Sequence, residues 1–504
     1  MQAALTLSAP ATLSNQCCNA LQASCLKDRV FLPDGATYTD RLDTYWSVSA
    51  ALEPWCMVMP STAEEASEVI MVLSKNECPF GIRGGGHGAD AYSNGIDKGV
   101  TIDFGLMNAT TYDADRKIAS IQPGTHWQPV YETLSPFGVT VTGGRAGTVG
   151  ASGFISGGGN SFHSASHGFA ADNVQNFEVV LGDGRIVNAN AEENADLWQA
   201  MKGGSGNYGL ITRYDMYAIE FPDRDSTDIW GGIVIYDVAE QEAVIDSYVK
   251  FAENSGQDQN STSIVYWAYI PAMSGMMLNV ALENTVNAAA PAAFDDYLNT
   301  PGITSKTLRS APMAEITMEL GSGQPAGFRN IWYTGAYDND ARLIKFAVEK
   351  HAAMVAELEK IMSADSGFNT LCMFQPISPN MVRHGVERGG NSMGLEERVF
   401  GNAEGTGEDG KTGVMFLATF AVNGAENEEK ARPLVKDWQD SIDAYADSIG
   451  VNWDWRFLNY ANHDQNPLAS FGERSIAKMR AVSAKYDPDQ VFQKLRQTGH
   501  KIPA

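Results

Sequence analysis

The chain has 504 residues, with 36 Lys and Arg against 61 Asp and Glu, for a formal net charge of -25. Its 44% hydrophobic and 19% charged residues are the composition of a folded globular protein, and the length suits two or three domains. The acidity argues against nucleic acid or an anionic lipid surface as partner, since both are held by clustered Lys and Arg, and no apolar run approaches the roughly 20 residues that span a bilayer.

Residues 1–15 are small and apolar without a basic start, so they do not read as an intact signal peptide; a removed signal replaced by a start Met would look the same. Cys17, Cys18, Cys25, Cys56 and Cys78 fall early, leaving Cys372 alone. No CxxC pair suggests a metal, so one or two disulfides tying down an N-terminal arm (1–39) are expected. They would suit the secretory pathway, as would sequons at Asn108 and Asn260. Residues 40–222 are dense in glycine and mix short elements. A helix is expected over 63–76, a strand over Phe80–Arg83, and another over 99–103. Strands over 177–181 and 186–187 flank the turn Gly182-Asp183-Gly184, followed by a helix over 196–201.

From 223 to 450 the elements lengthen. Strands are expected at 229–236, 263–269, 371–375 and 414–422, with amphipathic helices at 341–362 and 426–449. Helices on one face of such a sheet would leave the other face to cover a ligand. Residues 401–413, rich in Gly and Glu, read as a surface loop. A last segment, 451–504, opens with Trp453, Trp455, Phe457 and Tyr460. The fold class is therefore α+β.

Arg83-Gly84-Gly85-Gly86-His87-Gly88 follows a strand and leaves backbone amides bare for a phosphate. Gly84-x-Gly86-x-x-Ala89, with Asp103 some 20 residues on, matches a dinucleotide fingerprint. Residues 90–95 read as turns, however, so the helix such a site requires is missing. Gly204-x-Gly206-x-x-Gly209 has its elements reversed, helix before and strand after. Eight of the residues from Gly143 to Gly159 are glycine, which suits a flat ligand lying against backbone.

With Phe169-Ala170-Ala171-Asp172-Asn173-Val174 and Phe457-Leu458-Asn459-Tyr460 in order after these motifs, the chain resembles the berberine-bridge-enzyme-like FAD-linked oxidases of the vanillyl-alcohol-oxidase superfamily, particularly fungal members. The resemblance implies a PCMH-type, two-subdomain FAD-binding domain over 40–222 and a substrate domain over 223–450. Residues 451–504 would return to the first domain. It implies FAD linked through its 8α-methyl to His87. Arg83, Gly84, Gly85, Gly86, Gly88, Gly144, Thr148, Val149, Gly150, Ser152, Gly153, Ile155, Gly209, Ile211, Asn459 and Tyr460 would line the cofactor. Many relatives add a cysteinyl bond where this chain has Ala146, so a single link is expected here.

Tyr460 is the first candidate for the proton-abstracting base, because its patch reaches the active site in similar proteins. Gln375 at a strand end would bond substrate or flavin, or face water. His167, where relatives often carry an aromatic, is either a site residue or a polar surface variant, and His163 is open in the same way; Tyr208, in Gly206-Asn207-Tyr208-Gly209, is expected to pack on the cofactor rather than do chemistry. The expected partners are a small organic substrate and molecular oxygen, with no metal. A natural-product intermediate fits the aromatic and Met content of the middle zone. The alternatives are a secreted carbohydrate or alcohol oxidase, and a non-redox cyclase or isomerase on the same scaffold.

Overall fold

The computed structural model describes residues 10–273, 275–402, 404–405, 407 and 410–504; the start of the arm and parts of the expected 401–413 loop lie outside these residues. The chain first forms β1 (Val30–Phe31), β2 (Cys56–Val58), β3 (Phe80–Arg83) and β4 (Val100–Asp103). They pair in the order β1-β2-β4-β3, with β2, β4 and β3 parallel. Parallel strands are covered on both faces, and β2 and β4 are buried throughout. The crossover helix Ala63–Lys75 is capped by the Thr62 side chain on the Glu65 N–H, with Glu64 and Glu65 in its first turn facing the positive end of the helix dipole.

The helix Pro10–Ala23 is fastened to this sheet by Cys17–Cys78 and Cys18–Cys56, the kind of tether the early cysteines suggested. The bridges span 61 and 38 residues of chain. Loop closure in the unfolded state then predicts a loss of about 4 kcal/mol per bridge on reduction. The check is the denaturant midpoint with and without reductant; an unshifted midpoint would show that the arm docks without its tethers.

Next come β5 (Thr110–Asp113), β6 (Ile118–Ile121), β7 (Val139–Thr140), β8 (Val174–Val180), β9 (Ile186–Asn190), β10 (Leu210–Tyr217) and β11 (Ile219–Glu220). The antiparallel order β5-β6-β10-β8-β9 makes a second sheet, and β7 and β11 pair beside it. Gly184, at φ +85°, closes the β8–β9 turn as its position in the motif required.

The third sheet holds β12 (Asp228–Tyr236), β13 (Ser261–Ile270), β14 (Gly275–Asn284), β15 (Ile303–Lys306), β16 (Arg309–Pro312), β17 (Arg329–Asp338), β18 (Asn369–Ile377) and β19 (Gly413–Val422). Its antiparallel order is β15-β12-β14-β13-β18-β19-β17, with β16 also on β12. Successive strand residues point to opposite faces. On β13, Val265, Trp267 and Tyr269 enter a core shared with the helices Gln241–Asn254, Ala341–Ile361 and Ala425–Ile449. Ile264, Tyr266, Ala268 and Ile270 face the other way, onto a cavity. The segment 453–486 packs back into the core of the second sheet through Trp453, Trp455, Phe457 and Phe471.

Candidate active site

A cavity of about 490 Å³ lies between the two smaller sheets and the bare face of the large one. One wall is made of the loops at 84–88 and 144–153. A Cβ on Gly85 would collide with the backbone of Gly150, one on Gly84 with Ser152, and one on Gly88 with Ser93. These glycines therefore let two loops lie backbone on backbone. Gly153, by contrast, lines the cavity with nothing near its missing side chain, and Gly206 has no atom closer than 3.5 Å. Those two positions present bare backbone to a ligand. Residues 90–95 form turns and bends without a helix, as the failed dinucleotide fingerprint required.

His87 stands in this wall, half-buried and stacked on Trp46 at 4.3 Å between ring centroids and 11° between planes. The backbone N–H of Trp46 donates to Gly86 O at 3.0 Å, which fixes the loop against the ring. Desolvation, with the nearby His126 ring adding to it, pushes the His87 pKa down to about 4. The imidazole is therefore neutral at physiological pH and keeps a free lone pair, the form a nucleophile needs. Trp46 and His126, the latter in hydrogen-bond contact with Gly85 O at 3.0 Å, were not foreseen from sequence.

At the large-sheet end, four polar side chains converge. Gln375 Oε1 on β18 accepts from Arg145 Nη2, from Asn160 Nδ2 at 3.1 Å and from Tyr460 Oη at 3.2 Å. Arg145 Nη2 also donates to Tyr460 Oη at 3.3 Å. Gln375 is fully buried and Arg145 nearly so, while Tyr460 is half-buried and lines the cavity. Alternation places Gln375, Met373 and Leu371 on the cavity face of β18, and Cys372 and Phe374 among the helices. Asn459 holds the C-terminal segment in place: its amide donates to Gly153 O at 3.0 Å and accepts from the Gly159 N–H at 3.2 Å.

The lining fits a flavin dinucleotide. Asn94 Oδ1 and Trp332 Nε1 are buried cavity-wall atoms without a hydrogen-bond partner, which a polar ligand would satisfy. Among the described residues the wall contains no Asp, Glu or Lys, but it does contain Arg145 and Arg496. Arg496, missed from sequence, is fixed by Nη2 on Asn207 Oδ1 at 2.8 Å and His500 O at 3.0 Å, leaving Nη1 beside Gly206 and Gly499. A guanidinium held this way next to bare glycine backbone suits a pyrophosphate.

Of the residues expected to hold cofactor, the structure gathers His87, the glycines 84–86 and 88, Gly144, Thr148, Val149, Gly150, Ser152, Gly153, Gly209, Ile211, Asn459 and Tyr460 on the cavity. Arg83 and Ile155 do not reach it. Arg83 is buried against Asp103 at 3.2 Å and over the Tyr45 ring at 3.8 Å, so it is a structural ion-pair partner. In the helix Ala151–Ser156, residues 152, 153 and 156 face the cavity while 151 and 155 turn into the core, which buries Ile155 completely. His167 is not on the cavity either. It contacts Ser166 Oγ at 2.8 Å, and burial beside Arg388 and His384 takes its pKa to about 4. His163 and Tyr208 are buried behind the wall.

One buried acid stands apart. Glu283, in phase with the cavity-facing Asn279 and Ala281 of β14, is fully buried and neither carboxylate oxygen has a hydrogen-bond partner. Desolvation raises its pKa to about 8 against the opposing influence of Arg145.

Comparison with known proteins agrees with this geometry. Residues 54–190 match the FAD binding domain family model. The chain is 34% identical to a FAD-dependent monooxygenase of Emericella nidulans, over 98% of this chain and 99% of that one. In fold it resembles a glucooligosaccharide oxidase from Acremonium strictum that carries 6-S-cysteinyl, 8α-N1-histidyl FAD (TM-score 0.73, 18% identity, 97% and 99% coverage). It also resembles 6-hydroxy-D-nicotine oxidase from Arthrobacter nicotinovorans (TM-score 0.72, 19% identity, 94% and 97% coverage).

Proposed function

Because the chain belongs to the FAD-dependent oxidoreductases that share the FAD binding domain and counts a 34% identical FAD-dependent monooxygenase among its relatives, we propose that it is an oxidase of a small natural-product intermediate, with FAD attached once, through His87. The observation that carries this reading is the Arg145–Gln375–Tyr460 cluster facing a largely apolar cavity that also holds His87. When bound, FAD supplies the acceptor for a hydride and passes the electron pair to oxygen, which leaves as hydrogen peroxide.

The protein's part is proton control and orientation. For Tyr460 Oη to take the proton from a substrate O–H or N–H as the adjacent carbon gives up hydride, its own proton must first leave to solvent, and Arg145 Nη2 at 3.3 Å stabilises the phenolate that then accepts the substrate's proton. Three donors on Gln375 Oε1 fix its amide so that Tyr460 and Arg145 hold one geometry. Ile264, Ala268, Met277, Leu371 and Met373 present apolar surface to the substrate, which favours a hydrophobic body over a sugar. Ala146 offers no thiol for a second bond to FAD.

The test is anaerobic mixing of the holoenzyme with panels of alcohols, amines, sugars and polyketide or alkaloid intermediates. A true substrate bleaches the flavin; a substrate that is converted while the flavin stays oxidised rules out the oxidase and favours the non-redox reading. The Emericella relative's activity, monooxygenation, gives a second reading. One hydrogen peroxide per product supports the oxidase, and oxygen-18 from O2 in the product supports the monooxygenase. Tyr460→Phe is expected to slow flavin reduction by roughly 10²- to 10⁴-fold with unchanged flavin content. Reduction at the parent rate would remove Tyr460 from the role.

A further inference from the structure

We infer that Arg145 is an anion-recognition group, and that the substrate carries a delocalised oxyanion, either a carboxylate or an ionised 1,3-dicarbonyl enol, which pairs with its guanidinium. This deepens the FAD-oxidase reading and rests on it.

The chain carries 61 acidic residues, yet among the described residues its main cavity is lined by no carboxylate and by two arginines. They stand in different walls. Arg496 belongs to the C-terminal segment beside Gly206, where bare backbone suits the cofactor's phosphates. Arg145 faces β18 and the apolar strand residues, at the end where a substrate would lie.

Arg145 is nine-tenths buried and has no carboxylate within ion-pair distance among the described residues. Its Nη2 is used by two neutral partners, Gln375 and Tyr460. Its Nε and Nη1 have no hydrogen bond among the described residues and are not sealed as buried orphans, and the residue borders both the cavity and a small pocket beside Ser161, Ser164 and Ser378. A guanidinium stays charged in proteins, and a buried charge without a counter-ion is costly. Glu283, a buried acid that feels the Arg145 charge, does not supply one: neither of its carboxylate oxygens has a hydrogen-bond partner, and burial raises its pKa to about 8. What remains is a charged guanidinium with free donors at Nε and Nη1, one on each side of the occupied Nη2, each able to take an oxygen of a group that carries negative charge. The same wall supplies Leu371, Met373 and Met277 for the carbon frame of such a molecule.

The experiment uses the flavin-loaded enzyme and equilibrium binding, read from the perturbation of the visible flavin spectrum. Benzoate is compared with benzamide, and 1,3-cyclohexanedione with cyclohexanone, at pH 7. At least one anion is expected to bind about tenfold or more tighter than its neutral partner, and Arg145→Met is expected to weaken that anion by about thirtyfold or more. Neutral probes should change little, and Arg145→Lys should recover part of the anion preference. Which anion is preferred separates a carboxylate from an enolate substrate.

Equal binding of charged and neutral probes by the parent overturns the proposal without using any variant. Equal loss of both probe types in Arg145→Met also overturns it, by assigning Arg145 only to the support of Gln375 and Tyr460. Flavin content and acid-stable colour, measured on the same samples, report separately on the FAD reading. A colourless preparation indicts that reading, whereas a yellow enzyme without anion preference indicts only the recognition proposal.

Discussion

A His87→Ala variant is expected to lose all acid-stable flavin: its trichloroacetic acid precipitate should be white and the supernatant yellow, whereas the parent precipitate keeps its colour. The expectation rests on the ring's position in the cavity wall, its stack on Trp46 and its uncharged state. Loss of the link should also lower the flavin potential, and each 30 mV lost in a two-electron couple is about tenfold in equilibrium. Substrate reduction of any FAD that remains should therefore slow by about tenfold or more. The pH dependence of attachment has a definite sign. With the folded pKa near 4, the lone pair is free throughout pH 5.5 to 8.5, so the rate of FAD incorporation into apoprotein should be flat there and fall only towards pH 4. Colour retained in the His87→Ala precipitate would refute the linkage.

The second large effect concerns stability. Glu283 has a folded pKa near 8 and an unfolded value near 4.5, so the native state holds a proton that the unfolded state gives up between those values. Its contribution is fully present below about pH 4.5 and is lost as pH rises through 8, at roughly 1.4 kcal/mol per pH unit. Gln cannot titrate. Glu283→Gln should therefore gain about 4 kcal/mol on the parent between pH 4.5 and pH 8, read from parallel denaturant curves, with the gap opening as pH rises. A gap that does not change with pH would mean that the carboxylate is ionised and paired in the native protein. Arg145 is the cation that would pair with it, and Glu319 the acid that opposes ionisation.

Strong local patterns were legible: the helix after Thr62, strand Phe80–Arg83, the Gly184 turn, and most of β12, β13, β18 and β19. β14 was not, because Met-Met-Leu-Asn-Val-Ala-Leu-Glu is built from good helix formers, and its strand state is imposed by β12 and β13 on either side. The absence of a helix after Ala89 was correctly read from the turn residues at 90–95.

In the site, His87 and Tyr460 came from motifs, and Gln375 from its place at a strand end. Arg145, Asn160, Arg496 and Trp46 did not. Arg145 and Gln375 are 230 residues apart and Arg496 and Asn207 are 289 apart, so only tertiary packing brings them together. A faint signal existed for two residues. Arg145 is the single cation in a run of glycines, and Glu283 is a lone acid in phase with Asn279 and Ala281. Ile155 and His167 were misplaced because helical phase decides which side of a short helix meets the ligand, and glycine-rich sequence carries little phase information.

The large sheet divides its residues between two jobs that scarcely communicate. On β13, β14 and β18, the letters that meet the helices and those that meet the cavity simply alternate. Such strands are a two-track text: one track can be rewritten for a new molecule while the other goes on specifying the fold. A lineage built on this sheet can therefore change what it oxidises by point substitution at alternate positions, without first acquiring a more stable scaffold.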